Sequence, residues 1–116
     1  MAELEVDGGE LVLHLTTGEK ILGAHSNPRA PLAAVEHVEI LADAHGPADH
    51  GIKVGERIPG VVEVGSVYSE GRKIFAAVHR NTRGGLRIVF DRAKYDEWVV
   101  GCADPAGLIE QLGLPR

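Results

Sequence analysis

The stretch Asp43-Ala44-His45 and the pair Asp49-His50 bring carboxylates and imidazoles together within one short segment. Both groups ligate zinc and other divalent ions. The set lacks HExxH or any other fixed ligand spacing, so a solvated loop is the expected setting. No bound metal and no cofactor are predicted. The alternative reading is a small enzyme or metal-binding protein that uses His45, Asp49 and His50. The single cysteine, Cys102, follows Val100 near the end of a predicted strand and has no flanking cation. A buried structural thiol is the expectation there. It also excludes an intramolecular disulfide and a Cys-rich zinc site. Ser66 lies in a strand pattern, outside any GxSxG elbow. Asp96 and Glu97 are adjacent, so in a strand they point to opposite faces and form no carboxylate dyad. No catalytic constellation results, and a non-enzymatic chain is predicted.

Charge is unevenly spread. Residues 1–70 hold four Lys/Arg against twelve Asp/Glu, a net of −8, and residues 71–116 hold eight against five, a net of +3. Arg80, Arg83, Arg87, Arg92 and Lys94 face only Asp91 in the segment 80–94, a candidate patch for an anionic partner. Charged hairpin tips also keep strand edges from pairing, which is the plainer reading. A net charge of −5 opposes nucleic-acid binding. Phe75, Phe90, Trp98, Tyr68 and Tyr95 fall in strand patterns, as core or cross-strand pairs rather than a base-stacking platform.

The elements that must position these groups are mostly strands. Leu4 and Val6 alternate with Glu3, Glu5 and Asp7; Leu11, Leu13 and Leu15 alternate with Val12 and His14. Asp7-Gly8-Gly9-Glu10 joins them as a hairpin. Thr16 and Glu19 have capping-box spacing ahead of a short helix at Ile21 and Leu22. A turn around Pro31 precedes a strand through Val38, Ile40 and Ala42. Ala44–Gly60, rich in Gly and Pro, reads as a long loop pinned by Ile52, Val54 and Ile58. Strands return at Val61–Tyr68, Lys73–His79, Leu86–Phe90 and Tyr95–Cys102. The turns between them are Ser69-Glu70-Gly71-Arg72, Asn81–Gly85 and Asp91–Lys94. That spacing predicts an antiparallel meander, with Arg83-Gly84-Gly85 as a hairpin turn. Asp104, Pro105 and Gly113 bound a last helix carrying Leu108, Ile109 and Leu112.

Several of these signals together resemble bacterial pleckstrin-homology-like (PH-like) domains. They are Gly55-Glu56-Arg57-Ile58-Pro59-Gly60, Gly65 and Lys73-Ile74-Phe75; Pro31-Leu32-Ala33-Ala34-Val35 running into Val38-Glu39-Ile40; and Asp104-Pro105-Ala106-Gly107-Leu108-Ile109. The resemblance runs from about residue 10 onward. It implies a mostly β, α+β fold: a split barrel of about seven antiparallel strands, with a short helix after the first hairpin and a C-terminal capping helix. It implies no catalytic residues. Such domains bind peptides, proteins or lipid headgroups, or serve as oligomerisation units. The acidic Asp7-Gly8-Gly9-Glu10 turn departs from a basic headgroup loop.

One domain over residues 1–116 is expected from the length and the 44% hydrophobic content. No apolar run approaches the roughly 20 residues of a membrane span, and the acidic start MAELEVDGGE does not suit a targeting peptide. The expectation is a cytoplasmic module that binds a protein or peptide or forms a homo-oligomer. Val12, His14, Val62 and Val89 are candidate strand-face contacts.

Overall fold

The alternating segments Glu3–Asp7 and Glu10–His14 form β1 and β2. Asp7 pairs with Glu10, leaving Gly8-Gly9 as the turn, with φ of 58° and 81°. Those left-handed angles suit glycine, as the sequence predicts. This computed structural model describes residues 3–15, 27–42, 52–58, 62–69, 71–79 and 84–114. The predicted capping box at Thr16 and Glu19 and the helix at Ile21 and Leu22 lie outside them. β3 (Arg29–Pro31) joins β2 and completes a three-stranded sheet. The turn expected around Pro31 is a short 3-10 segment, Leu32–Ala34.

The second sheet holds six strands: β4 (Val35–Leu41), β5 (Ile52–Ile58), β6 (Val62–Ser69), β7 (Arg72–His79), β8 (Gly85–Phe90) and β9 (Glu97–Gly101). Their order is β4-β8-β9-β7-β6-β5. The described residues thus form nine strands in two sheets and no closed barrel, a mostly β fold with one short C-terminal α-helix.

Three expectations change. First, part of the long loop expected over Ala44–Gly60 is β5, paired along its length with β6. Ile52, Val54 and Ile58, read as pins, carry the period of a strand instead. Second, β7 and β9 run parallel, so the sheet is not wholly antiparallel. Third, Arg83-Gly84-Gly85 does not close a hairpin, because β9 lies between β7 and β8. The physical reason for both of the last two is β9 itself. All five of its residues are buried, so it takes a central place with neighbours on either side. Crossing one strand position spans only about 10 Å, which the residues between β7 and β8 cover easily.

Asp96 locks this insertion in place. Its N–H donates to the Lys73 carbonyl at 2.8 Å, and its carboxylate accepts the Lys73 N–H at 2.8 Å. Its own carbonyl accepts the Phe90 N–H at 2.9 Å. One residue thereby ties the start of β7, the end of β8 and the entry to β9.

The main core lies between the sheets. Leu4, Leu11, Leu13 and Leu15 from the first side meet Phe75, Leu86, Ile88, Phe90, Trp98 and Val100 from the second. Phe90 and Trp98 pack edge to face with centroids 4.8 Å apart, and Phe75 and Tyr95 do so at 5.5 Å. On the opposite face of the second sheet, Ile74, Ala76, Val78 and Val99 form a smaller buried cluster.

The last helix, α1 (Pro105–Leu112), begins as predicted. The Asp104 carboxylate accepts the Gly107 N–H at 3.1 Å, with Pro105 in the first turn. A Cβ at position 107 would meet that carboxylate, so a larger residue there would make the Asp104 side chain shift. At the other end Gly113, with φ of 66°, lets the Leu114 N–H reach the Ile109 carbonyl at 3.1 Å. The apolar stripe is unequal. Ile109 is 5% exposed and Leu114 is buried beside it, while Leu108 and Leu112 are half-buried. Ile109→Ala should therefore lower unfolding free energy by about 2–5 kcal/mol, the range for truncation in a packed core, and Leu108→Ala by less. Denaturant titration reads both; an unchanged midpoint for Ile109→Ala would place the helix outside the core.

Candidate functional site

The predicted basic set is divided by the fold. Arg80 and Arg83 lie outside the described residues, as do His45, Asp49 and His50. Arg87 stands on β8 with its side chain on the face opposite Lys73, because Arg87 pairs with Val99 and Val99 with Ala76. Its Nη1 lies 3.2 Å from Glu39 Oε2, and its Nε lies 3.9 Å from Glu97 Oε1. Arg72 reaches the same Glu97 oxygen at 3.3 Å. The result is a ladder of alternating charge, Glu39–Arg87–Glu97–Arg72, across four neighbouring strands. Arg87 is matched within the fold and leaves the anionic-partner patch.

Glu97 is the buried member, 8% exposed. Arg72 is its close partner, and Arg87 Nε, buried without a hydrogen bond, adds charge attraction at 3.9 Å, which matters because a buried carboxylate without a partner is costly. Asp96 and Glu97 do act apart, as their adjacency predicts. Asp96, however, precedes the strand and serves the backbone. Glu97→Gln should destabilise the fold by about 1–3 kcal/mol, the cost of leaving charged partners unmatched. Thermal and denaturant unfolding check this; a neutral result would mean that the ladder is solvated.

Arg92 and Lys94 are exposed on the β8–β9 connection, and Arg92 takes a left-handed φ of 62°. Lys94 Nζ lies 6.0 Å from the Tyr95 ring centroid. Lys73, absent from the predicted set, sits closer. Its Nζ is 4.7 Å from the Tyr95 centroid and 6.0 Å from that of Tyr68. Tyr95 is buried, and its hydroxyl is 2.9 Å from Ser66 Oγ. Ser66 therefore anchors an aromatic ring. Tyr68 is 41% exposed. A signal for this cluster exists in the sequence: Tyr68 and Lys73 are symmetric about the Ser69–Arg72 turn, so a tight hairpin makes them cross-strand neighbours.

Of the candidate strand-face contacts, His14 is exposed and pairs with Glu5 at 3.2 Å, and Val89 is half-buried. Val12 is 1% exposed and drops out. It sits mid-strand in the central strand of its sheet, between Glu5 and Arg29. The side chain of Val62 lies outside the description.

An open cleft of about 450 Å³ runs between β1, the end of β9 and α1, lined by Glu3, Leu4, Cys102, Asp104, Leu108 and Gln111 among others. Burial pushes the Cys102 thiol up to about 11, and the nearby Asp104 charge adds to the rise. The thiol is accordingly protonated at neutral pH, and the helix start does not activate it. Among the described residues, no three His, Cys, Asp or Glu side chains gather as a metal site, and no helix is long and apolar enough to cross a membrane. Comparison with protein-family models, with curated proteins and with solved structures finds no match to this chain. Iodoacetamide labelling of Cys102 should rise with pH toward an apparent pKa near 11, and at pH 8 run about a hundredfold slower than a cysteine of pKa near 8.5. A labelling midpoint below 8 would mark an activated thiol.

Proposed function

We propose that this chain is a non-enzymatic interaction module of PH-like type that binds a protein or peptide. The observation that carries the reading is the assignment of its reactive groups. Glu97 faces two arginines, Asp96 serves backbone groups, Asp104 caps a helix, Ser66 holds Tyr95, and Cys102 is held protonated. Among these described groups the first four have structural tasks and the thiol is not activated, which supports recognition rather than catalysis. Two sheets flank the main core with Ile109 of the last helix set into it, which suits a PH-like domain, whereas the nine strands and the parallel β7–β9 pair depart from that pattern.

Selection from a displayed random-peptide library, followed by calorimetry on the full chain, tests the reading. A saturable 1:1 complex with a Kd of about micromolar order is expected, the strength of a small transient interface. A library yielding no binder, together with a stoichiometric metal lost on His45→Ala and His50→Ala, would overturn it in favour of the metal-protein alternative.

A further inference from the structure

Six cationic side chains are described: Arg29, Arg72, Lys73, Arg87, Arg92 and Lys94. Three of them meet carboxylates. Arg29 bridges Asp7 and Glu10 at 3.7 and 3.2 Å, Arg72 meets Glu97, and Arg87 meets Glu39 and Glu97. Among the described residues, Lys73, Arg92 and Lys94 form no such pair. Two of them, Lys73 and Lys94, are also neighbours, with Nζ 4.7 and 6.0 Å from the centroid of the same Tyr95 ring. Arg92 and Lys94 lie on the connection that Asp96 clamps to Lys73 through two backbone-anchored hydrogen bonds. The Asp96 carboxylate is engaged with the Lys73 N–H, which leaves Asp91 as the exposed carboxylate of the connection.

The lysines face aromatic rings instead. Lys73 Nζ lies over Tyr95 and at the margin of Tyr68, and Lys94 Nζ lies at the margin of Tyr95. An ammonium on a ring face is attracted to it and keeps N–H donors for another acceptor. The platform is rigid, because Tyr95 is buried, packed edge to face on Phe75 and bonded to Ser66. Positions fixed before binding reduce the ordering cost that a ligand must meet. Exposed Tyr68 adds a flat apolar surface beside the charges.

We infer that this corner, formed by Tyr68, Lys73 and Lys94, docks a short acidic segment of a partner protein, with carboxylates on the cations and an apolar side chain on Tyr68. The inference rests on the interaction-module reading and gives it a site. Charge complementarity argues for the occupant, and its length follows from the rest of the surface. The first sheet presents Glu3, Glu5, Asp7 and Glu10 on its outer side, and the chain carries a net charge of −5. A long polyanion or a charged bilayer meets that repulsion, whereas a few residues stay within about one Debye length of the corner.

The probe is a fluorescein-labelled peptide, Glu-Asp-Glu-Leu-Asp-Glu, titrated with the full chain and read by anisotropy. Phosphatidylserine vesicles and a single-stranded oligonucleotide serve as other arms. Saturable peptide binding is expected, weakened about tenfold or more by Lys94→Glu, at an exposed position that leaves the core intact. Arg29→Ala, a cation matched on the other sheet, should leave the affinity unchanged. Binding should also weaken with added salt. No binding of the acidic peptide, or binding indifferent to Lys94→Glu, overturns the site; library-selected peptides binding elsewhere would leave the module reading standing. Lys94-dependent binding to vesicles or oligonucleotide, without binding to the peptide, overturns the acidic-segment assignment.

Discussion

Strand β9 is buried along its whole length and on both faces, and the other elements are arranged around that constraint. Trp98 and Val100 point into the main core, while Val99 joins the smaller cluster on the opposite side. A strand of this kind needs neighbours on both edges to satisfy its N–H and C=O groups. It finds them in β8, antiparallel, and in β7, parallel. The crossover from β7 to β8, the clamp by Asp96 and the sinking of Glu97 between two arginines all follow from placing this segment at the centre.

The same arrangement explains how charge is distributed. On the face shared by Arg72, Arg87, Glu97 and Glu39, each cation stands opposite a carboxylate one strand away. Where the β8–β9 connection leaves the sheet, that cross-strand matching ends. Lys73 and Lys94 turn to tyrosine rings there, and exposed Tyr68 lies alongside. The boundary between matched and unmatched cations coincides with the boundary between the sheet and its connection. The proposed contact with a partner is placed at that boundary.

Much of the local structure was legible from residue types. The Gly8-Gly9 hairpin, the Asp104 cap, Gly113 and the buried Leu11, Leu13 and Leu15 each depend on interactions within a few residues or on period two. The strand order was not. Parallel pairing of β7 with β9 depends on contacts between residues some twenty positions apart, and adjacent segments in a meander carry no mark of a strand inserted between them. β5 was hidden for a different reason. Its Gly55 lies across from Gly65, and the glycines and prolines around it read as breaks. The candidate site was half legible: Lys94 was in the basic run, but Arg87 was withdrawn by partners on β4 and β9, and Lys73 was added by register.

Native-state hydrogen exchange tests the central place of β9 most directly. Amides that open only when the whole domain opens report the global unfolding free energy, and edge strands report smaller openings. The amides of Trp98, Val99 and Val100 should exchange at the free energy obtained from denaturant unfolding, with those of Ile52–Ile58 on the edge strand exchanging through lesser events. Exchange of β9 at a free energy well below the global value, or below that of β5, would contradict the account.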